Sequence, residues 1–230
     1  MSEEETPRPR RVVVTRDGPY RVEGGLPLAR ESIVQTEYGE PVEWERGETF
    51  DARDTYELCR CGHSNRKPFC DSTHETIGFD GTETADRGAS ATRRDLWEGV
   101  GVAMSDDFEL CTRAGFCGDR FTKVWQMIDH TSDSEVKARL MRMIDRCPSG
   151  RLEYSIPPDP GSVEVAYESQ ISVTSDGNEI GPYWLKGGVR IVSEDGTPYE
   201  VRNRQTLCRC GRSGNKPFCD GSHEHSGILG

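Results

Sequence analysis

Cys59-Arg60-Cys61-Gly62-His63-Ser64-Asn65-Arg66-Lys67-Pro68-Phe69-Cys70-Asp71-Ser72-Thr73-His74 recurs near the far end of the chain. There it reads Cys208-Arg209-Cys210-Gly211-Arg212-Ser213-Gly214-Asn215-Lys216-Pro217-Phe218-Cys219-Asp220-Gly221-Ser222-His223. Each copy sets out three thiols and one imidazole, soft donors that suit an iron-sulfur cluster or zinc. The repeat extends beyond the cysteines: residues 18–28 (Gly-Pro-Tyr, then Gly-Gly) align with 181–191, and residues 50–58 with 199–207. Each unit therefore reads as short strands separated by glycine turns and closed by a metal loop. The first has strands at 12–14, 20–22, 33–34 and 56–58, and the second at 163–167, 171–173, 183–185 and 189–192.

In both copies the last cysteine and the histidine lie four residues apart. On a helix that spacing puts both side chains on one face, with Cβ atoms about 5–6 Å apart. Asp71 and Asp220 then fall at the first turn, where a carboxylate caps free N–H groups. Pro68-Phe69 and Pro217-Phe218 stiffen the approach and set an aromatic ring over the site. Cys59 with Cys61, and Cys208 with Cys210, reach a single metal from an extended loop. An end with two cysteines and an end with one cysteine and one histidine match the two irons of a [2Fe-2S] cluster. Zinc sites space their paired cysteines about two to four residues apart, so a one-residue gap made twice favours iron-sulfur. The repeat also sorts the other histidines: His63 faces Arg212, His225 corresponds to Thr76, and His130 has no counterpart, so none is a ligand.

Both motifs resemble the CDGSH iron-sulfur domain family (mitoNEET-like), whose pattern is C-x-C-x2-S-x3-P-x-C-D-G-S-H. The second copy matches throughout; the first carries Ser72 for glycine and Thr73 for serine, neither at a ligand position. The resemblance implies one [2Fe-2S] cluster on Cys59, Cys61, Cys70 and His74 and another on Cys208, Cys210, Cys219 and His223. Single-motif members of the family form homodimers with a β-cap over the cluster-binding segment. The resemblance therefore implies a monomer with an internal pseudo-twofold, its two units pairing as an intramolecular pseudo-dimer.

The remaining thiols are Cys111, Cys117 and Cys147. Cys111-Thr112-Arg113-Ala114-Gly115-Phe116-Cys117 with the distant Cys147-Pro148 echoes the ferredoxin run C-x2-C-x2-C followed by Cys-Pro, with Ala114 in the slot of the second cysteine. Three ligands suit a [3Fe-4S] cluster, and a [4Fe-4S] cluster would need an outside ligand. The segment resembles the divergent single-cluster ferredoxin domains. It is set off by the turn-rich residues 81–94 and by Pro157-Pro158-Asp159-Pro160-Gly161. Asp133-Ser134-Glu135 opens a helix with Val136, Leu140, Met143 and Ile144 on one face; a shorter helix is expected over 120–128 with Phe121, Val124, Trp125 and Ile128 together. The expected class is α+β: a CDGSH-type unit at 10–82, a small ferredoxin-like domain at 83–158 and a second CDGSH-type unit at 159–230.

Composition excludes several functions. A net charge of -11 over 230 residues argues against nucleic-acid binding, which needs a basic face. The start Met1-Ser2-Glu3-Glu4-Glu5 is no signal peptide, and apolar runs of at most four residues cannot span a membrane. Nine cysteines is an odd number for a disulfide framework, and clustered thiols without a signal sequence point to a reducing, cytoplasmic setting. Arginine outnumbers lysine, which with the acidic balance hints at a salt-rich cytoplasm. With no phosphate-binding glycine loop and no Ser-His-Asp arrangement, the chain reads as a carrier in one-electron transfer rather than an enzyme. Its partners would then be redox proteins. Two alternatives remain: a sensor or cluster donor to apo-acceptors, exploiting the pH-sensitive imidazole, and a zinc-stabilised scaffold. Exchanging one thiolate for a neutral imidazole makes each outer centre one charge less negative, so its potential should lie above the roughly -400 mV of four-thiolate plant-type centres.

Overall fold

A computed structural model describes residues 9–177 and 179–225; the acidic opening and the side chain of His225 lie outside the described residues. The first segment contributes β1 (Arg11–Val14), β2 (Tyr20–Glu23), β3 (Leu28–Gln35), β4 (Pro41–Phe50), β5 (Tyr56–Leu58) and α1 (Thr73–Ile77). The middle one contributes β6 (Asp95–Gly99), β7 (Val102–Asp106), α2 (Val124–Met127), α3 (Ser134–Asp145), β8 (Leu152–Ser155) and β9 (Ser162–Val163). The last contributes β10 (Gln170–Asp176), β11 (Glu179–Lys186), β12 (Arg190–Val192) and β13 (Arg204–Leu207).

Three sheets result, ordered β12-β1-β2-β5, β13-β11-β10-β3-β4 and β6-β7-β8-β9. The first two are built by exchange. β3 pairs in parallel with β10, Leu28 opposite Ile171 through Ser32 opposite Ser175. β12 pairs in parallel with β1, Arg11 opposite Arg190 through Val13 opposite Val192. The paired glycines make the crossing: Gly187 and Gly188 hold φ 73° and 69°, in the left-handed region that glycine enters without penalty. A Cβ on Gly187 would stand 2.6 Å from the Tyr167 carbonyl oxygen. Alternate positions on both sets of strands then meet in one core, where Val12, Tyr20, Val22 and Leu58 pack with Ile171, Tyr183, Leu185 and Leu207. Burying each such aliphatic side chain contributes about 1.5–3 kcal/mol. Because both units feed one core, neither has a separate core to fold on.

The middle segment has its own core of Val102, Met104, Val124, Ile128, Leu140, Ile144 and Leu152. Asp133 caps α3 by accepting from the N–H groups of Glu135 at 2.8 Å and Val136 at 3.4 Å, as the sequence predicts. Three expectations fail locally. The expected helix over 120–128 begins only at Val124, because Asp119 accepts from the N–H groups of Phe121 and Thr122 and holds a turn there; Phe121 is 80% exposed. The expected strand over 163–167 is confined to Ser162–Val163, because Glu164 is drawn instead to Asn203 and Arg204. β4 was not expected at all.

Two anchors, among several contacts, fasten the middle segment to the outer body. Trp44 of β4 donates its indole N–H to the Arg146 carbonyl at 3.0 Å and packs its ring on Phe116 and Trp184, each with centroids 5.1 Å away. Arg204 of β13, almost wholly buried, donates to the carbonyls of Ile144 at 2.8 Å, Cys147 at 2.9 Å and Leu152 at 3.1 Å while pairing with Glu164 at 2.7 Å.

Candidate metal centres

Each outer loop begins where a core strand ends. β5 delivers Cys59 and β13 delivers Cys208, and the loop then folds back antiparallel, so that Cys59 N–H donates to the Pro68 carbonyl and Cys208 N–H to the Pro217 carbonyl, both at 2.8 Å. Phe69 and Phe218 turn onto the core, edge to face with Tyr56 and Tyr199. Ser64 and Ser213 close the loop by donating to the carbonyls of Phe69 at 2.6 Å and Phe218 at 2.7 Å.

The ligands predicted from sequence come together two by two. Cys59 Sγ lies 3.8 Å from Cys61 Sγ, and Cys208 Sγ 3.9 Å from Cys210 Sγ. Cys70 Sγ lies 3.4 Å from His74 Nδ1, and Cys219 Sγ 3.3 Å from His223 Nδ1. A tetrahedral ion with metal–sulfur bonds near 2.3 Å has its thiolates about 3.7 Å apart, so each pair spans one edge of a metal's coordination shell. Among the described residues no three Cys, His, Asp or Glu side chains converge on a point that one ion could fill. Each outer loop thus presents its four donors as two pairs.

One correction concerns how the cysteine and histidine meet. They do not share a helix: α1 starts at Thr73, and Ser222–His225 is a single 3-10 turn. Ser72 at φ 67° and Gly221 at φ 85° break any helix between the ligands, and this left-handed step is what swings the imidazole back toward the thiol. The aspartates still take up loop N–H groups, though not as caps of a shared helix: Asp71 Oδ1 accepts from Thr73 N–H at 3.1 Å and Asp220 Oδ1 from Ser222 N–H at 3.0 Å, while Oδ2 of each accepts from Asn65 and Gly214 N–H across the loop.

Electrostatics favour a bound cation. In each paired set a thiol hydrogen bond and then loop N–H groups push one sulfur down, to about 6 for Cys59 and Cys208, while the same hydrogen bond and burial push Cys61 and Cys210 up. The pair gives up one proton readily and the second only against a positive metal. Burial raises Cys70 and, more strongly, Cys219.

The two outer loops touch. Tyr20 donates its hydroxyl to the carbonyls of Cys208 at 2.9 Å and Pro217 at 3.0 Å; Tyr183 donates to those of Cys59 at 2.9 Å and Pro68 at 3.0 Å. Each tyrosine thus buttresses the other unit's loop, and their rings meet edge to face with centroids 6.1 Å apart. Gly211 fits directly on Cys61: a Cβ there would stand 2.7 Å from the Cys61 carbonyl oxygen. The arginine between each cysteine pair is buried, Arg60 over the Tyr20 ring and Arg209 over the Tyr183 ring. Sequence reasoning did not assign these tyrosines and arginines, although both pairs recur in the two copies.

Cys111, Cys117 and Cys147 line one open pocket, and Ala114, in the sequence slot of a ferredoxin's second cysteine, lines it with them. Burial and then the Cys147 thiol push Cys117 up to about 11, with Arg151 opposing. Arg151 is held beside the cavity by Asp106, with contacts of 2.6 and 2.7 Å. Burial alone would lower Arg151, but Asp106 and Cys111 keep it firmly charged. Three thiols spread around a lined cavity with a fixed cation suit a cluster of three or four irons. His63 and His130 are exposed and stand outside these groups.

Residues 17–75 and 180–224 match the model of the iron-binding zinc finger CDGSH type. Residues 97–157 match that of the divergent 4Fe-4S mono-cluster. No curated protein and no solved structure matches the chain.

Proposed function

We propose that this iron-sulfur protein, two CDGSH-type regions flanking a divergent 4Fe-4S region, is a one-electron carrier with two [2Fe-2S] sites and a third site for a [3Fe-4S] or [4Fe-4S] cluster. The carrying observation is the two-by-two disposition of thiols and imidazole in both outer loops, which meet through Tyr20 and Tyr183 inside one exchanged β body. Such clusters supply reversible one-electron chemistry at potentials set by ligand type, hydrogen bonds and exposure. The chain's own part is to hold the ligands, exclude water and place cations. Cys59, Cys61, Cys208 and Cys210 are all buried; Cys111, Cys117 and Cys147 hold the middle group, with Arg151 beside it.

The exchanged pairing of β3 with β10 and β12 with β1 supports an intramolecular pseudo-dimer, so one chain does what two copies of a single-motif chain would do. Nine free thiols suit a reducing cytoplasm, and the acidic surface suits redox protein partners rather than nucleic acid. No helix among the described residues is long and apolar enough to cross a membrane. Cluster donation is the second reading, favoured by the partial exposure of Cys70 and His74.

The test is anaerobic purification with visible and electron paramagnetic resonance spectra and counts of iron and sulfide. About seven irons per chain mark a three-iron middle cluster and about eight a four-iron one. A colourless, sulfide-free, zinc-loaded protein would sink the reading, and faster transfer of cluster to an apo-acceptor than of electrons to a redox partner would select donation.

A further inference from the structure

The two outer loops differ at several positions, and at one of these the middle segment lies against the second loop only. The first loop has Ser72 at φ 67°, exposed; the second has Gly221 at φ 85°, buried. Arg113 lies across Gly221, so that a Cβ there would meet its Cγ at 2.6 Å, Cδ at 2.7 Å and Nε at 3.1 Å. Arg113 stands between Cys111 and Cys117, at φ 61°, a conformation that arginine rarely adopts. Its guanidinium reaches Glu224, the neighbour of His223, at 3.4 Å. A second tie runs alongside it, Asn215 Nδ2 donating to the Glu109 carbonyl at 3.0 Å. Ala114 and His223 line one cavity between the segments. Cys219 is 2% exposed under this cover, whereas Cys70 is partly exposed. At the first site the residue answering Glu224 is Glu75, whose Oε1 lies 3.9 Å from His74 Nε2.

We infer that Arg113 is a positioning residue that sets a positive charge beside the Cys219–His223 end of the second site, ties that site to the middle one and makes the two outer sites inequivalent. The inference rests on the reading that the outer loops hold [2Fe-2S] clusters. A fixed cation eases the addition of an electron to a nearby negative centre, so removing it lowers the potential of that site alone. Burial at Cys219 acts in the opposite direction, so the variant, and not the wild-type order of the two potentials, isolates the effect. Gly221 is what leaves Arg113 its room, since any side chain there would displace the arginine.

The experiment is a dithionite titration of the full chain, prepared without air and followed by electron paramagnetic resonance, for wild type, Arg113→Gln, Arg113→Lys and Gly221→Ser. His74→Cys and His223→Cys assign the two outer signals, since each alters one of them. The wave assigned to the second site moves to lower potential in Arg113→Gln and Gly221→Ser, stays near wild type in Arg113→Lys, and the first-site wave stays still throughout. Gly221→Ser keeps the arginine in the chain but displaces it, so the answer does not hang on one variant folding. Both waves moving together, neither moving, or the first-site wave moving alone overturns the role of Arg113. Wild-type protein without [2Fe-2S] signals would remove the underlying reading, and this role with it.

Discussion

Tyr20 and Tyr183 carry more of the architecture than any ligand does, because each ends in the partner unit's loop. Their hydroxyls are fully buried and each satisfies two loop carbonyls. Phenylalanine at either position takes that donor from the cysteine carbonyl, at a cost of about 1–3 kcal/mol, while the proline carbonyl keeps its bond from the cysteine N–H. Urea denaturation of Tyr183→Phe should show that loss, with faster release of cluster from the first loop; an unchanged midpoint would mean that the bond carries no stability. Gly211→Ala adds a Cβ against the Cys61 carbonyl at a residue held at φ 77°. Backbone strain of about 1–3 kcal/mol then adds to the clash, and the variant should lose the first-loop cluster although it lies in the second loop. The ligands were legible because cysteine and histidine declare themselves by spacing, and the repeated Gly-Pro-Tyr marked the tyrosines without saying what they touch. Arg113 on Gly221 was not legible, because that contact joins segments from different domains and leaves no periodic trace.

At the scale of elements, short apolar runs marked β1, β2, β5, β10 and β12, but β3 only at 33–34, outside the stretch Leu28–Ser32 that pairs with β10. β4 escaped notice because Glu43, Glu45, Arg46 and Glu48 run between its apolar contacts, Trp44 and the terminal Phe50, and hide any alternation. It is an edge strand on β3, mostly exposed, and is fixed by its pairing partner and by the middle segment rather than by a buried face. The β1–β2 hairpin makes a pH prediction. Burial would raise the Glu23 carboxyl, but Arg11 at 2.7 Å and Arg21 at 2.9 Å outweigh it and hold Glu23 below its usual value. A lowered folded value means that the stabilisation is complete above the unfolded value of about 4.3 and is lost as pH falls through the folded one. Glu23→Gln should therefore be less stable than wild type by about 1 kcal/mol at neutral pH, the gap closing between about pH 5 and 3. A gap that stays constant down to pH 3 would contradict the pairing.

At the scale of the whole molecule, the sequence suggested an A-B-A′ order, with the resemblance implying that the outer units pair. The structure joins the outer segments in shared sheets, with the middle one fastened against them. The outer segments share sheets and one core; the middle one keeps its own core, with Trp44 and Arg204 among the residues that hold it. Neither anchor shows in a sequence pattern, because a buried arginine aimed at three carbonyls of another segment looks on paper like any surface cation. Arg204 takes up the carbonyls of Ile144, Cys147 and Leu152, so it sets the position of a proposed ligand of the middle cluster from inside the second outer unit. Removing one member of a buried charged pair costs about 3–5 kcal/mol, and Arg204→Met also strips the donors from those carbonyls and leaves Glu164 unpaired. The middle cluster should then be lost or oxidised faster than either outer one, visible as early decay of its paramagnetic signal in air while the [2Fe-2S] signals persist. If all three signals decay together, the middle body does not depend on this anchor, and its other ties, Trp44 on Phe116 and Arg146 among them, hold it instead.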